Sequence, residues 1–458
     1  MIPITNFSGL DVAVFGLGAS GNATALALMA GGARVSAWDD SEAGRTGAQD
    51  AGIPLVDLFR EDWARFAVLI LAPGVPLTHP EPHWTVQKAE AAGVDVIGDI
   101  ELFCRERANV CPDAPFIAIT GTNGKSTTTA LIAHILREAG RDVQLGGNIG
   151  RAVLTLDPFT PERVYVVECS SFQIDLAPTI NPSVGVLLNV TPDHLDRHGT
   201  IENYARVKER LIAGADQAVV VIDDDWTRVI AERHASEDKT ILTASTLGPA
   251  DITFSGTEVA FRGKTVADLS GVPSLRGRHN GENACAAYGA LRLAGLTDNE
   301  IIPHMLTYPG LAHRMEQIGR LANTLFINDS KATNAESTEK ALATWPRGIH
   351  IILGGKAKDG GIDILRPYFP RIAKAYLIGA ATEMFAATLG SGVPHESCGT
   401  MDVAVAKATE DALASGAAES VVLLSPACAS YDQYKNFEER GDHFRRLVAA
   451  EIANRTPA

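Results

Sequence analysis

No stretch of this chain constrains its fold more than Ile119-Thr120-Gly121-Thr122-Asn123-Gly124-Lys125-Ser126-Thr127. An apolar run, 115–119, precedes it, and an apolar-periodic segment, 130–136, follows it and stops at Gly140. That order predicts strand, glycine loop and helix, the context of a phosphate-binding loop. Gly121 and Gly124 let the backbone come close enough for N–H groups at the helix N-terminus to point at phosphate oxygens. Lys125 supplies positive charge to the terminal phosphates, and Ser126 or Thr127 a hydroxyl for Mg²⁺. The loop is shorter than the common G-x-x-x-x-G-K-S/T form: Gly121 stands three residues before Gly124, and positions 118 and 119 are Ala118 and Ile119.

A strand feeding such a loop belongs in a mostly parallel sheet, and the rest of the chain agrees. Short apolar, β-branched runs at 12–15, 68–71, 116–119, 164–167, 184–188, 218–222, 349–353 and 421–424 alternate with helical patterns. This alternation predicts βα units. Residues 251–269 differ: short strands at 252–254, 258–261 and 265–266 follow one another as a small antiparallel insert. A length of 458 residues accommodates about three domains. The apolar pattern breaks at 104–114, where Arg105, Glu106, Arg107, Asn109, Pro112 and Asp113 cluster, and at Pro309-Gly310-Leu311-Ala312-His313. The expected fold is α/β in three domains. Residues 1–108 form a Rossmann-like domain, 109–310 a central domain of the phosphate-loop ATPase type carrying the insert, and 311–458 a second Rossmann-like domain.

The net charge of −15 excludes a nucleic-acid surface as the main role, yet leaves room for a locally positive cleft. Cys104, Cys111, Cys169, Cys285, Cys398 and Cys428 form no C-x-x-C pair and no zinc spacing, which fits reduced thiols in the cytoplasm. Residues 1–10 lack the pattern of a signal peptide, and no apolar run reaches the length of a membrane span. A cytoplasmic protein with no membrane and no nucleic-acid partner is expected.

In the first domain, the strand at 12–15 runs into Gly16-Leu17-Gly18-Ala19-Ser20-Gly21, and Asp39 ends a second strand about twenty residues on. This is the dinucleotide fingerprint with its acidic ribose partner. A pyrophosphate fits the helix beginning near Ser20, whether it belongs to a dinucleotide or to a UDP-linked substrate. Ala72-Pro73-Gly74-Val75 makes a second turn on the same edge. In the central domain, Glu168-Cys169-Ser170-Ser171-Phe172-Gln173 and Asn189-Val190-Thr191-Pro192-Asp193-His194-Leu195-Asp196 each follow an apolar strand. Glu168 and His194 are therefore expected at strand C-terminal ends on the phosphate-loop side, placed to hold a second Mg²⁺ or orient a nucleophile. His194 and His198 are four apart, but no further zinc ligand accompanies them. Lys208, in a helical pattern over 203–213, reads as a solvated helix lysine. In the last domain, the strand ends at 328–334, 353–359 and 424–430 are rich in hydroxyls and lysines, a cationic face suited to a small acid and a polyphosphate. His313-Arg314 offers a guanidinium to a phosphate.

Together these segments, with Gly147-Asn148-Ile149-Gly150, Gly277-Arg278-His279-Asn280 and the residues from Ser425 to Phe437, resemble the Mur ligase family over nearly the whole chain. These are ATP-dependent amide-forming enzymes of peptidoglycan precursor synthesis. Within the family, Asn328-Asp329-Ser330-Lys331-Ala332-Thr333-Asn334 and Ser425-Pro426-Ala427-Cys428-Ala429-Ser430 resemble the D-glutamate-adding branch. The Asp-Asn-Pro-Arg motif of the diaminopimelate-adding branch is absent. So is the Lys-Gly-Ser loop of folylpolyglutamate synthases, because Ser126 follows Lys125.

The resemblance implies ATP and two Mg²⁺ ions, with UDP-N-acetylmuramoyl-L-alanine and D-glutamate as substrates of a monomer. It assigns the 1–108 domain to the UDP-substrate, 109–310 to ATP and 311–458 to the amino acid. Gly121, Thr122, Asn123, Gly124, Lys125, Ser126 and Thr127, with Asn280, Arg314 and Asp329, would engage ATP and the first metal ion. Glu168, His194 and Lys208 would serve the second, the family's matching lysine being carbamylated. That implied role reverses the solvated reading of Lys208. Lys331 would serve the phosphate and acid site; Thr333, Lys358, Ser430 and Phe437 would hold D-glutamate. Gly18, Ala19, Ser20, Gly21, Asp39 and Asn148 would take the UDP-substrate. The chain departs from that branch at Ala72, where a serine is usual, and at Asp40-Ser41, where Thr-Arg is usual. Three rival readings are a nicotinamide oxidoreductase, a non-catalytic ATP-binding regulator and a sibling ligase with another amino acid or acceptor. The first leaves the phosphate loop, Glu168 and His194 without a role.

Overall fold

The computed structural model describes residues 1–236, 239–357 and 361–455. The chain divides into two compact units, Met1–Tyr308 and a second from Pro309 onward. Both are α/β with mostly parallel sheets.

The first unit carries two sheets. One runs Arg34–Trp38, Asp11–Phe15, Val68–Leu71, Asp95–Ile97, all parallel. The other runs Lys264–Asp268, Glu258–Phe261, Ile252–Ser255, Ile241–Ser245, Gln217–Val221, Val184–Leu187, Phe116–Thr120, Val164–Glu168, Val143–Gly147. It is parallel except where Glu258–Phe261 pairs antiparallel with both its neighbours. Phe116–Thr120 and Val164–Glu168 are buried at every residue, the mark of strands covered on both faces. Their side chains divide between two cores: Phe116, Ala118, Tyr165 and Val167 face one, Ile117, Ile119 and Val166 the other. Helix Lys125–Glu138 lies on the second of these, packing Leu131, Ile132 and Ile135 into it.

The charged cluster at 104–114 proves to be largely helical. Helix Asp99–Val110 turns several of its charges inward. Glu106 is buried and accepts from the Thr5 amide at 2.8 Å and the Thr5 hydroxyl at 2.6 Å. Arg107 is buried and donates to Ala114 O, Asn181 O and Ser183 Oγ. Buried charges persist because each is hydrogen-bonded.

The second unit holds one sheet in the order Glu316–Leu321, Thr324–Asn328, Ser420–Leu424, Ile349–Gly354, Ile372–Ile378, His395–Gly399, with only the first pair antiparallel. Among the described residues no helix is long and apolar enough to cross a membrane.

Candidate functional site

The phosphate loop closes on itself. Lys125 Nζ donates to Gly121 O at 3.0 Å and Thr122 O at 2.9 Å. The Asn123 amide donates to Asn189 Oδ1 at 2.8 Å, and the Thr122 amide to Asn189 O. Gly124, at φ 82°, is the N-cap of helix Lys125–Glu138 and offers no side-chain cap, so the first-turn N–H groups face outward as an anion cradle. A Cβ at Gly124 would meet both the left-handed backbone cost and the Asn283 carboxamide. Asn283, missed in the sequence, is buried and bridges Asn280 to Thr128 of the loop helix. The i, i+3 spacing of Asn280 and Asn283 was the available signal. Beside it, burial pushes the Glu282 carboxyl up to about 7, and Asn189 Nδ2 donates to it at 2.7 Å.

Glu168 ends its strand, as expected, and is buried. Its Oε1 accepts from Asn148 Nδ2 at 2.8 Å, while Oε2 is buried with no hydrogen-bond partner among the described residues. Lys208 is not the solvated lysine that its helical pattern suggested. It is 1% exposed, and its Nζ donates to Gly121 O at 2.9 Å and sits 4.6 Å from the Tyr204 ring. Burial, then the charge of Lys125, holds its amine well below the usual lysine range. His194 is not at a strand end. The preceding strand stops at Leu187, and His194 caps the short helix Leu195–His198 in the left-handed region, φ 52°, with its ring 4.9 Å from Phe172. His198 is buried, and burial pushes it down to about 4, while its Nε2 meets Ser171 Oγ at 2.9 Å. Among the described residues no group of three or more His, Cys, Asp and Glu side chains has the arrangement of a metal site.

At the first sheet, Gly16 and Gly21 pack so closely that a Cβ on Gly21 would overlap the Gly16 carbonyl, whereas Gly18 stands open. Asp39 folds onto the glycine loop: its carboxylate accepts from the Leu17 amide at 2.5 Å and the Ser41 amide at 2.7 Å. Ser20 Oγ donates to the buried Asp99 at 2.8 Å. A small cavity is lined by Ser20, Gly21, Thr24, Ala72, Pro73 and Asp99 among others.

In the second unit, the segments ending three neighbouring strands converge. Burial drives the Asp329 carboxyl up to about 7, although Ser425 Oγ and the Met315 amide both donate to it. Arg440, buried and unforeseen in the sequence, donates to Ser330 Oγ, Ser330 O and Cys428 O, joining the two motifs. Lys331 Nζ lies 5.7 Å from the Phe437 ring. The Lys356 and Ala429 backbones exchange hydrogen bonds, setting buried Ser430 beside that strand end. Thr333 follows Lys331 in the same turn, its amide donating to Lys331 O. Arg314 acts on Asp329 through its charge. Lys358 lies outside the described residues.

A glycine cradle at a helix N-terminus, with a lysine on the loop and a buried carboxylate whose Oε2 has no hydrogen-bond partner among the described residues, is the arrangement of a phosphate-loop α/β protein. Residues 119–291 match the Mur ligase middle domain, and 313–428 the Mur ligase glutamate ligase domain. The chain belongs to the Mur ligase family. It is 58% identical to a UDP-N-acetylmuramoylalanine--D-glutamate ligase of Mesorhizobium japonicum and 56% identical to one of Brucella abortus, each match covering 98% of both chains. Its fold resembles that of UDP-N-acetylmuramate-alanine ligase from Thermotoga maritima, with TM-score 0.59 and 17% identity over 96% of this chain and 100% of the other.

Proposed function

We propose that this protein is an ATP-dependent ligase that joins D-glutamate to UDP-N-acetylmuramoyl-L-alanine in peptidoglycan precursor synthesis, acting as a cytoplasmic monomer. The observation that carries this reading is end-to-end identity of 56–58% with relatives named for that reaction. We read residues 1–108 as a Rossmann-like UDP-substrate domain, 109–310 as the ATP domain and 311–458 as a Rossmann-like amino-acid domain.

The reaction runs in two stages. The L-alanyl carboxylate takes the γ-phosphoryl group of ATP, leaving ADP and an acyl-phosphate. The D-glutamate amine then attacks the acyl carbon, and the tetrahedral intermediate collapses to amide and phosphate. Lys125 and the first-turn amides of its helix stabilise charge on the transferring group. Ser126 Oγ and Glu168 Oε2 are oxygen donors of the kind Mg²⁺ takes, and the partnerless Oε2 fits a cation. Mg²⁺ held there would neutralise phosphate charge. His194 and Lys208 would complete a second ion's site only once Lys208 carries a carboxylate; its lowered basicity favours the neutral amine, the form that adds to carbon dioxide. Asn148 orients Glu168 through its carboxamide and faces the muramoyl substrate. Gly18, Ala19, Ser20 and Gly21 take the pyrophosphate, while Asp39 sets the loop that does so. Asn280, Arg314 and Asp329 engage ATP, Lys331 the phosphate and acid, and Thr333, Lys358, Ser430 and Phe437 D-glutamate.

The test is phosphate release from Mg·ATP with UDP-N-acetylmuramoyl-L-alanine across a panel of amino acids, including both glutamate enantiomers. Release with D-glutamate alone is expected. Release with another amino acid keeps the ligase and overturns its specificity; release with none overturns the reading.

A further inference from the structure

We propose that Arg197 is a positioning residue for this reaction: it ties the ligand turn of the first sheet to the segment carrying Glu168 and His194. The proposal rests on the ligase reading above and deepens it.

Arg197 reaches across from the short helix that His194 caps. Its Nη1 donates to Gly74 O at 3.0 Å and its Nη2 to Val75 O at 2.8 Å. Both carbonyls belong to the Ala72-Pro73-Gly74-Val75 turn, whose first two residues line the cavity with Ser20 and Gly21. The same guanidinium lies 4.7 Å from the centroid of Phe172. Phe172 also carries the His194 ring at 4.9 Å and the His198 ring, stacked at 13°, at 5.4 Å. One phenyl ring thus fixes three side chains of a single turn, and it sits four residues past Glu168. A second tie runs in parallel. Gln173, next to Phe172, approaches the Asp99 carboxylate at 3.4 Å, and Asp99 accepts from Ser20 of the fingerprint. Helix Ser171–Asp175 is therefore held to the ligand edge at two points.

The chemistry of the tie needs arginine. A planar fork can donate to two consecutive carbonyls while its face lies on an aromatic ring; an ammonium is a point charge and cannot do both. His194 occupies a left-handed backbone position that only its surroundings hold in place. A displacement of about 1 Å between the acceptor carboxylate and the phosphoryl site costs roughly 10²-fold in rate. Loosening the turn from Phe172 is a displacement of that kind.

The experiment compares wild type with Arg197→Ala, Arg197→Lys and, as control, Arg210→Ala. Arg210 bonds Asp175 of the same short helix and, among the described residues, has no hydrogen bond to the first sheet. Steady-state kcat, KM for each substrate, melting temperature and calorimetric binding of UDP-N-acetylmuramoyl-L-alanine are measured. Both Arg197 variants should lose about 10²-fold in kcat and bind the UDP-substrate more weakly, with KM for ATP little changed and Arg210→Ala near wild type. Wild-type kcat in Arg197→Lys, an equal loss in Arg210→Ala, a fall in melting temperature alone, or failure of both Arg197 variants to fold would each overturn the proposal. If wild type itself releases no phosphate with D-glutamate, the ligase reading fails instead.

Discussion

Replacing Lys208 by methionine separates two accounts of that residue. If Lys208 were one half of a buried ion pair, its loss would strand a charge and cost about 3–5 kcal/mol. The geometry says otherwise. Its close polar partner is a neutral carbonyl, Gly121 O at 2.9 Å; the Thr120 hydroxyl is at 3.4 Å. The hydrogen bond to Gly121 contributes about 1.5–3 kcal/mol, and the desolvated contact with Tyr204 about 2 kcal/mol. Against them stands several kcal/mol of ammonium desolvation. These terms nearly cancel, so a methionine of similar volume should leave stability within about 1 kcal/mol of wild type or raise it by about 1–2 kcal/mol. Activity should still collapse, by at least about 10²-fold. The assay is differential scanning calorimetry of both proteins without nucleotide in carbon-dioxide-depleted buffer, alongside phosphate release. A loss of 3–5 kcal/mol, roughly 6–15 °C in melting temperature, would refute the reasoning and make Lys208 an ion-pair partner.

Other outcomes are equally measurable. Lys125→Ala should retain fold and melting temperature while kcat falls about 10²–10³-fold; near-normal turnover would remove the lysine from the chemistry. Asp329, with its carboxyl raised from 3.8 to about 7 by burial, stabilises the second unit fully below pH 3.8, and this contribution is lost as pH rises through about 7. Urea unfolding of Asp329→Asn should therefore show a shallower decline from pH 4 to 8 than wild type, and parallel curves would contradict the assignment. Gly21→Ala should destabilise by about 1–3 kcal/mol and raise KM for the UDP-substrate, because the new Cβ would overlap the Gly16 carbonyl, which is backbone and cannot swing aside; unchanged kinetics would detach the fingerprint from substrate binding.

The phosphate loop was legible because the elements that announce it are local: an apolar strand, two glycines and a helix within two dozen residues. The parallel alternation was legible for the same reason. Lys208 was misread from residues alone although the signal was present. Tyr204, Lys208, Leu211 and Ile212 stand at i, i+4, i+7 and i+8, so the lysine occupies the buried stripe of helix Ile201–Gly214. The family resemblance supplied what the stripe should have. His194 was set too close to a strand end because the turns between Leu187 and Leu195 have no periodicity to read. The inward charges of helix Asp99–Val110 were out of reach for a different reason: Glu106 finds its partner 101 residues away and Arg107 finds Ser183 76 residues away. Arg440, joining segments 110 and 12 residues distant, belongs with them.

The carboxamide of Asn189 has a consequence for how a nucleotide arrives. It already occupies the Asn123 amide and, through its own nitrogen, reaches the Asn123 carbonyl and Glu282. These bonds give the loop a hydrogen-bonded shape supplied by the fold itself. A phosphate arriving at the helix N-terminus would meet a loop that is already ordered. The ordering entropy of the loop is met during folding, so association need not wait for the loop to find its conformation. A truncation of Asn189 would show itself less in the chemistry than in the tempo of capture: a loop that must organise around each guest, and a slower on-rate for the same final embrace.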